Sequence, residues 1–233
     1  MNSLISLKRK LVCSIGYRMI RMLYEIKHFI LKKYCLLPWV GARFEKIEEK
    51  VYAIEGLLLL GQDKWLFEAA KDLPDAATIV EIGGYKGRST CALAFGCVGT
   101  KKHIFTIDTF NGNKVDFDVI NRKNFFNEWR RNIEKNGLLD YVTPLVGFSS
   151  DISHTWTKPI DLLFIDGSHK YEDVLSDFDR FYQHVVPGGI VAMHDVEPRH
   201  PDCLRVWNER ANFELTDTGA VSSLAFGRKP GRV

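Results

Sequence analysis

Six titratable side chains stand at the ends of short apolar runs. Glu81 lies inside Ile79-Val-Glu-Ile-Gly-Gly-Tyr-Lys-Gly87, and Asp108 closes His103-Ile-Phe-Thr-Ile-Asp. Asp166 closes Ile160-Asp-Leu-Leu-Phe-Ile-Asp, with His169 just beyond it, and the adjacent His194 and Asp195 follow Pro187-Gly-Gly-Ile-Val-Ala-Met. A carboxylate at the tip of a second strand can accept both hydroxyls of a ribose, although Asp108 also suits a helix N-cap. An imidazole, with an unperturbed pKa of about 6.5, suits a general base at neutral pH, and a solvated residue at a helix start is the plain alternative for His169. Asp166 and Asp195 fall at the carboxyl ends of what should be neighbouring parallel strands, the edge where open α/β sheets bind ligands. The His194-Asp195 pair could ligate Mn²⁺ or Fe²⁺, or His194 could hydrogen-bond a substrate.

These side chains need strands, turns and helices to bring them together. Ile79, Val80 and Ile82 read as a buried strand, and Gly83, Gly84 and Gly87 form a turn that lets the backbone approach a ligand or take positive φ. Ser89 and Thr90 then begin a helix whose N-terminus faces that turn, an arrangement that holds a nucleotide-like cofactor. A dinucleotide fingerprint is incomplete, because position 82 is Ile where its first glycine belongs. Short apolar strands alternate with helical segments, which predicts an α/β fold with a doubly wound, mainly parallel sheet. Tyr171, Val174, Leu175, Phe178, Phe181, Tyr182 and Val185 show helical spacing and need only packing. Phe213 to Asp217, a turn at Gly219 and Ser223 to Gly227 read as a closing antiparallel hairpin. Asp161 should lie at the opposite edge of the sheet and carries no chemical role, while Tyr85 and Trp156 fit pocket or core equally.

Glu81-x-Gly83-x-x-x-Gly87, followed by Asp108, Asp166 and Asp195 at successive strand tips, resembles the class I S-adenosylmethionine-dependent methyltransferases. Within them the chain is similar to the branch of catechol-type O-methyltransferases and sugar-modifying O-methyltransferases of macrolide biosynthesis, over about residues 52–228. The resemblance implies a seven-stranded Rossmann-like sheet and S-adenosylmethionine as cofactor. It gives Glu81 and Gly83 to the methionine half, Asp108 to the ribose, Ser149 and Ser150 to the adenine, and Gly87, Ser89 and Asp166 to the same cofactor pocket. It further implies Mg²⁺ or another divalent cation on Asp166, Asp195 and His194. This chain departs from the pattern at His194, where a second acid is usual and where imidazole suits Mg²⁺ poorly. His169 stands where catechol-type enzymes carry a lysine base, which makes His169 and Asp166 the catalytic candidates.

Composition and charge divide the chain into a basic amphipathic helical extension at 1–50 and a methyltransferase-like domain at 51–233. The first 40 residues hold eight Lys or Arg against Glu25 alone, a local +7 within a chain of net charge +3, so the remainder is mildly acidic. Leu4, Leu7, Leu11, Ile15, Met19, Met22, Ile26 and Phe29 make an apolar stripe at helical spacing, which charges break up too often for a transmembrane span. The arm can pack on its own domain or a second subunit as a homo-oligomer, or lie on an anionic membrane surface. A nucleic-acid partner is disfavoured by the acidic domain and by the lack of an N/D-P-P-Y/F motif. Five cysteines without a C-x-x-C pair point to a reducing compartment, so the expected location is cytoplasmic, with peripheral membrane association open.

The expected activity is therefore O-methylation of a hydroxyl on a small-molecule or sugar substrate, with divalent-metal assistance open. The connections Phe110–Arg122 and Glu197–Arg205 should carry the substrate contacts. Two other readings stand beside it: a hydroxylase-like metal enzyme on the same scaffold, and a noncatalytic membrane-surface binding protein.

Overall fold

The computed structural model describes residues 44–111 and 124–231. The basic arm and most of the Phe110–Arg122 connection lie outside the described residues. Lys46–Val233 forms one compact unit.

Within it, α1 (Glu48–Tyr52) and α2 (Gln62–Lys71) precede β1 (Thr78–Ile82), α3 (Arg88–Cys97) and β2 (His103–Asp108). Next come α4 (Phe126–Lys135), β3 (Val142–Val146), α5 (Ser149–Ser153), β4 (Ile160–Ile165), α6 (Tyr171–Tyr182) and β5 (Val185–Met193). A helical stretch follows as α7 (Pro201–Val206), a π-turn (Trp207–Ala211) and α8 (Asn212–Glu214), and then β6 (Thr216–Val221) and β7 (Leu224–Arg228). The seven strands make one sheet in the order β3-β2-β1-β4-β5-β7-β6. The pairs among β1 to β5 are parallel, and β7 runs antiparallel to both β5 and β6. This is the doubly wound, mainly parallel sheet that the strand-and-helix alternation predicted, with the seven strands that the resemblance implied.

Strand period decides which layer each side chain enters. Ile79 in β1, Leu162 and Phe164 in β4, and Ile190 and Ala192 in β5 join the core that also takes residues from α2, α3 and α4. Val80, Ile82, Leu163, Ile165, Val191 and Met193 enter the other core, with Val174, Phe178 and Phe181 of α6. Both faces are thus covered, as near-continuous apolar strands require. Carrying the same alternation past the end of β5 turns His194 toward the α2 layer. Trp156 belongs to the second core, where it packs against Phe105 and Phe181.

Two turns differ from expectation. Gly219 is not at the hairpin turn but inside β6, paired with Phe226, and a β-carbon there would sit 2.8 Å from that ring. The chain reverses at Ser222 and Ser223, with Ser222 at φ +54°. Pro187-Gly-Gly lies within β5 as an irregularity, where the register with β4 shifts between Ile160 and Leu162. Phe213 and Glu214 end a helix rather than opening a strand. Among the described residues no helix is long and apolar enough to cross a membrane.

At the carboxyl edge, ladder bonds continue one residue past the strands. Gly83 N–H donates to Ile107 O at 2.9 Å, Asp166 N–H to Ile82 O at 2.7 Å and His194 N–H to Ile165 O at 3.0 Å. Gly83 has φ +95°, and a β-carbon there would lie 2.0 Å from the Asp166 carbonyl oxygen. Gly83→Ala should therefore cost about 2–5 kcal/mol, adding the left-handed penalty to overpacking against backbone. Urea unfolding monitored by tryptophan fluorescence measures the loss.

Candidate active site

The glycine turn is built by Asp108. Its Oδ2 accepts Gly84 N–H at 2.7 Å and Tyr85 N–H at 2.8 Å, while Oδ1 accepts Phe110 N–H at 2.7 Å. The carboxylate thus pins the turn after β1 to the tip of β2; both acceptor sites of Oδ2 are taken, and Oδ1 keeps one. Tyr85 is exposed at φ +43°. Gly87, at φ +91°, caps α3.

Glu81 is fully buried beneath this turn. Thr90 and Thr106 hydroxyls donate to its Oε2 at 2.5 and 2.8 Å, and Oε1 has no hydrogen-bond partner among the described residues. Burial pushes the Glu81 carboxyl up to about 7, against the nearby hydroxyls of Ser89, Thr90 and Thr106. A buried carboxylate oxygen aimed under a glycine turn fits a cationic group bound at that turn.

Ser149 and Ser150 open α5 beyond β3. Ser149 Oγ donates to Asp177 of α6, whose carboxyl burial pushes up to about 6, while Ser150 is exposed. Ser149 is therefore already engaged in fastening α5 to α6.

Asp166, His169, His194 and Asp195 come together beyond β4 and β5. His169 Nε2 donates to Asp195 Oδ2 at 2.9 Å. His194 Nδ1 lies 3.1 Å from Asp166 Oδ1 and 3.2 Å from Asp195 Oδ2, aligned for a hydrogen bond with neither. Its Nε2 faces Gln62 Oε1 at 3.0 Å. The Gln62 amide has only one workable orientation: Oε1 accepts Leu59 N–H at 2.6 Å, and Nε2 donates to Val221 O and Ser223 Oγ. His194 Nε2 must then be the donor, which leaves Nδ1 as the atom between the carboxylates. Burial alone would push His194 down, but the charges of Asp166 and Asp195 outweigh it and raise it to about 10. Burial likewise opposes ionisation of Asp195, and the neighbouring His169 and His194 overcome it, holding its carboxyl well below the usual range.

The set Asp166, His194 and Asp195 offers a divalent cation two oxygens and one imidazole nitrogen. Mg²⁺ demands oxygen, and the two carboxylates already have an imidazolium as counter-charge, so this set suits Mg²⁺ poorly. Residue types and spacing gave no hint of Gln62, which reaches His194 from α2. Neither did they reveal Asp63, whose fully buried carboxylate takes two hydrogen bonds from Arg88 at 2.9 and 2.7 Å and locks α2 to α3.

The methyltransferase domain family model matches residues 80–196, half of the chain. The chain belongs to that family. The chain superposes on cofactor-bound Rv0187 from MTB with a TM-score of 0.64 and 18% identity, covering 90% of this chain and 98% of that one. It superposes on the O-methyltransferase TomG from Streptomyces achromogenes, solved with SAM, with a TM-score of 0.60 and 18% identity, over 89% and 97% of the two chains. Uncharacterized protein R132 of Acanthamoeba polyphaga mimivirus is 41% identical over 46 residues, 20% of this chain and 21% of that protein. The chain spans 21% and 14% of the lengths of the first curated relatives it matches.

Glu81 generates a pH prediction for the ligand-free protein. Its folded pKa, about 7, lies above the ordinary glutamate value of 4.5, so the folded state keeps a proton that the unfolded state loses. Stability should fall by a few kcal/mol as pH rises through that window. Glu81→Gln, which keeps an acceptor for Thr90 and Thr106, should flatten that fall; urea titrations at the two ends of the window compare the slopes.

Proposed function

We propose that this methyltransferase uses S-adenosylmethionine to methylate a hydroxyl oxygen of a small molecule or sugar, with His169 as general base. The observation that carries the reading is the His169–Asp195 pair at the carboxyl edge, beside the glycine turn and the unpartnered oxygen of Glu81. The SAM named with TomG supports the cofactor, as does the order of Glu81, Asp108 and Asp166 along the sheet edge.

When bound, S-adenosylmethionine supplies a sulfonium methyl whose carbon–sulfur bond breaks as the substrate oxygen–carbon bond forms, the electron pair staying on sulfur. Glu81 would orient the methionine half from beneath the glycine turn, and a nearby ammonium would favour the ionised carboxylate that burial alone disfavours. Asp108 would hold the ribose through the acceptor site that remains on Oδ1. Asp195 accepts the Nε2 proton of His169, so Nδ1 is the nitrogen that takes the proton from the substrate hydroxyl. The His194 imidazolium, 3.2 Å away, holds Asp195 in place, and positioning supplies the rest of the rate. No step runs through Mg²⁺, because the donor set suits it poorly.

Calorimetric titration of chelator-treated protein with S-adenosylhomocysteine tests the cofactor. One binding site is expected, weakened by about 10- to 100-fold in Asp108→Ala. Absence of binding in the wild type would sink the reading. With an acceptor found by screening hydroxylated compounds, His169→Ala should lower turnover by about 10²–10⁴-fold while leaving S-adenosylhomocysteine affinity unchanged. Chelator should not lower turnover in the wild type.

A further inference from the structure

Asp195 has a second carboxylate oxygen, and it faces another imidazole. His200 Nε2 lies 3.6 Å from Asp195 Oδ1, and His169 Nε2 lies 2.9 Å from Oδ2. The two imidazoles meet edge to face, with ring centroids 4.6 Å apart. One ligand atom from each of the three residues falls within 4.8 Å of the others. Bonds of about 2.0–2.1 Å to a shared ion would set donors roughly 3 Å apart, a spacing that side-chain rotation can reach from here.

The backbone holds both arms in place. Val196 N–H donates to Ser223 O at 2.9 Å and His200 N–H to Glu197 O at 3.0 Å, which folds the segment after β5 back over Asp195. Asp195 itself stands at φ +57°. On the other side, Ser168 Oγ donates to Asp173 Oδ2, and Tyr171 N–H donates to Asp202 Oδ2 at 3.2 Å, tying the His169 loop to the start of α7. The side chains of His169, Asp195 and His200 are 24%, 14% and 29% exposed, open enough for an ion to enter. The neighbouring His194 is closed in by comparison, at 3%, with Nε2 held by Gln62.

We propose that His169, Asp195 and His200 form a binding site for a borderline divalent transition-metal ion of the Zn²⁺ or Co²⁺ type. Two imidazoles and one carboxylate favour such ions over Mg²⁺ or Ca²⁺, and three protein ligands leave positions open to solvent or a substrate oxygen. The site differs in two of its three ligands from Asp166, His194 and Asp195. Occupancy has a consequence that rests on the function proposed above. A metal on His169 Nε2 moves the ring proton to Nδ1, so the same side chain no longer serves as base, and the ion holds transfer off.

Chelator-treated full-length protein is titrated near neutral pH with Co²⁺, followed by visible absorption, and with Zn²⁺ by calorimetry. The expected result is one ion bound at micromolar affinity, weakened by more than about tenfold in His200→Ala and unchanged in Asp166→Asn. Absence of uptake by the wild type overturns the proposal. So does affinity that survives His200→Ala but is lost in Asp166→Asn, which would put the ion on the other side of Asp195. Binding of S-adenosylhomocysteine, measured on the same samples, shows that each variant is folded. It also separates the two failures, because cofactor binding without metal uptake rejects only the metal site, and the converse rejects only the methyltransferase chemistry.

Discussion

The Asp166 carbonyl oxygen occupies the space where residue 83 would carry a side chain, and this contact between the turns after β1 and β4 sets the layout of the carboxyl edge. With glycine there, the two central strands stay in ladder contact beyond their last paired residues, and Asp166 follows directly from the Ile82 carbonyl. The turn that Asp108 pins therefore lies against the loop bearing Asp166 and His169. Any β-carbon at position 83 would push those loops apart and separate the groups that hold a cofactor from the groups that handle a substrate proton. The sheet acts here as a spacer whose setting depends on one missing side chain.

Charge at this edge is balanced within a small volume. Asp166 and Asp195 would repel each other without the His194 ring between them, and Gln62 aims that ring by accepting its far proton. A helix that precedes the first strand thus controls which imidazole nitrogen meets the acids at the end of the fifth. Three of the six non-glycine residues at positive φ among the described residues, Tyr85, Phe110 and Asp195, stand just after β1, β2 and β5. Left-handed conformations at non-glycine residues cost about 1–3 kcal/mol each and persist where surrounding structure imposes them.

Local pattern made much of this legible. Strands β2 and β4 match the apolar runs that end before Asp108 and Asp166, and α6 matches the spacing of Val174, Phe178 and Phe181, because burial on one face leaves a period that sequence records. The acids at the strand tips could be placed for the same reason, since an acidic residue after a buried strand has few other positions. Contacts spanning long separations left no such trace. Gln62 and His194 are distant in sequence, and a polar residue in a short amphipathic helix carries no mark of its partner. Gly219 misled because glycine marks turns more often than it marks a place where an aromatic ring lies against the backbone, as Phe226 does.

Cys91 and Cys97 lie in the core shared with α2 and α4, and Cys203 lies in the core beneath α6, on the other side of the sheet. Burial pushes all three thiols up to about 12, so none reacts while its layer stays closed. The fold thereby carries a native probe in each layer. Alkylation rates at the two sets of thiols report how often each side of the sheet opens, and whether the helices on its two faces detach together or one face at a time.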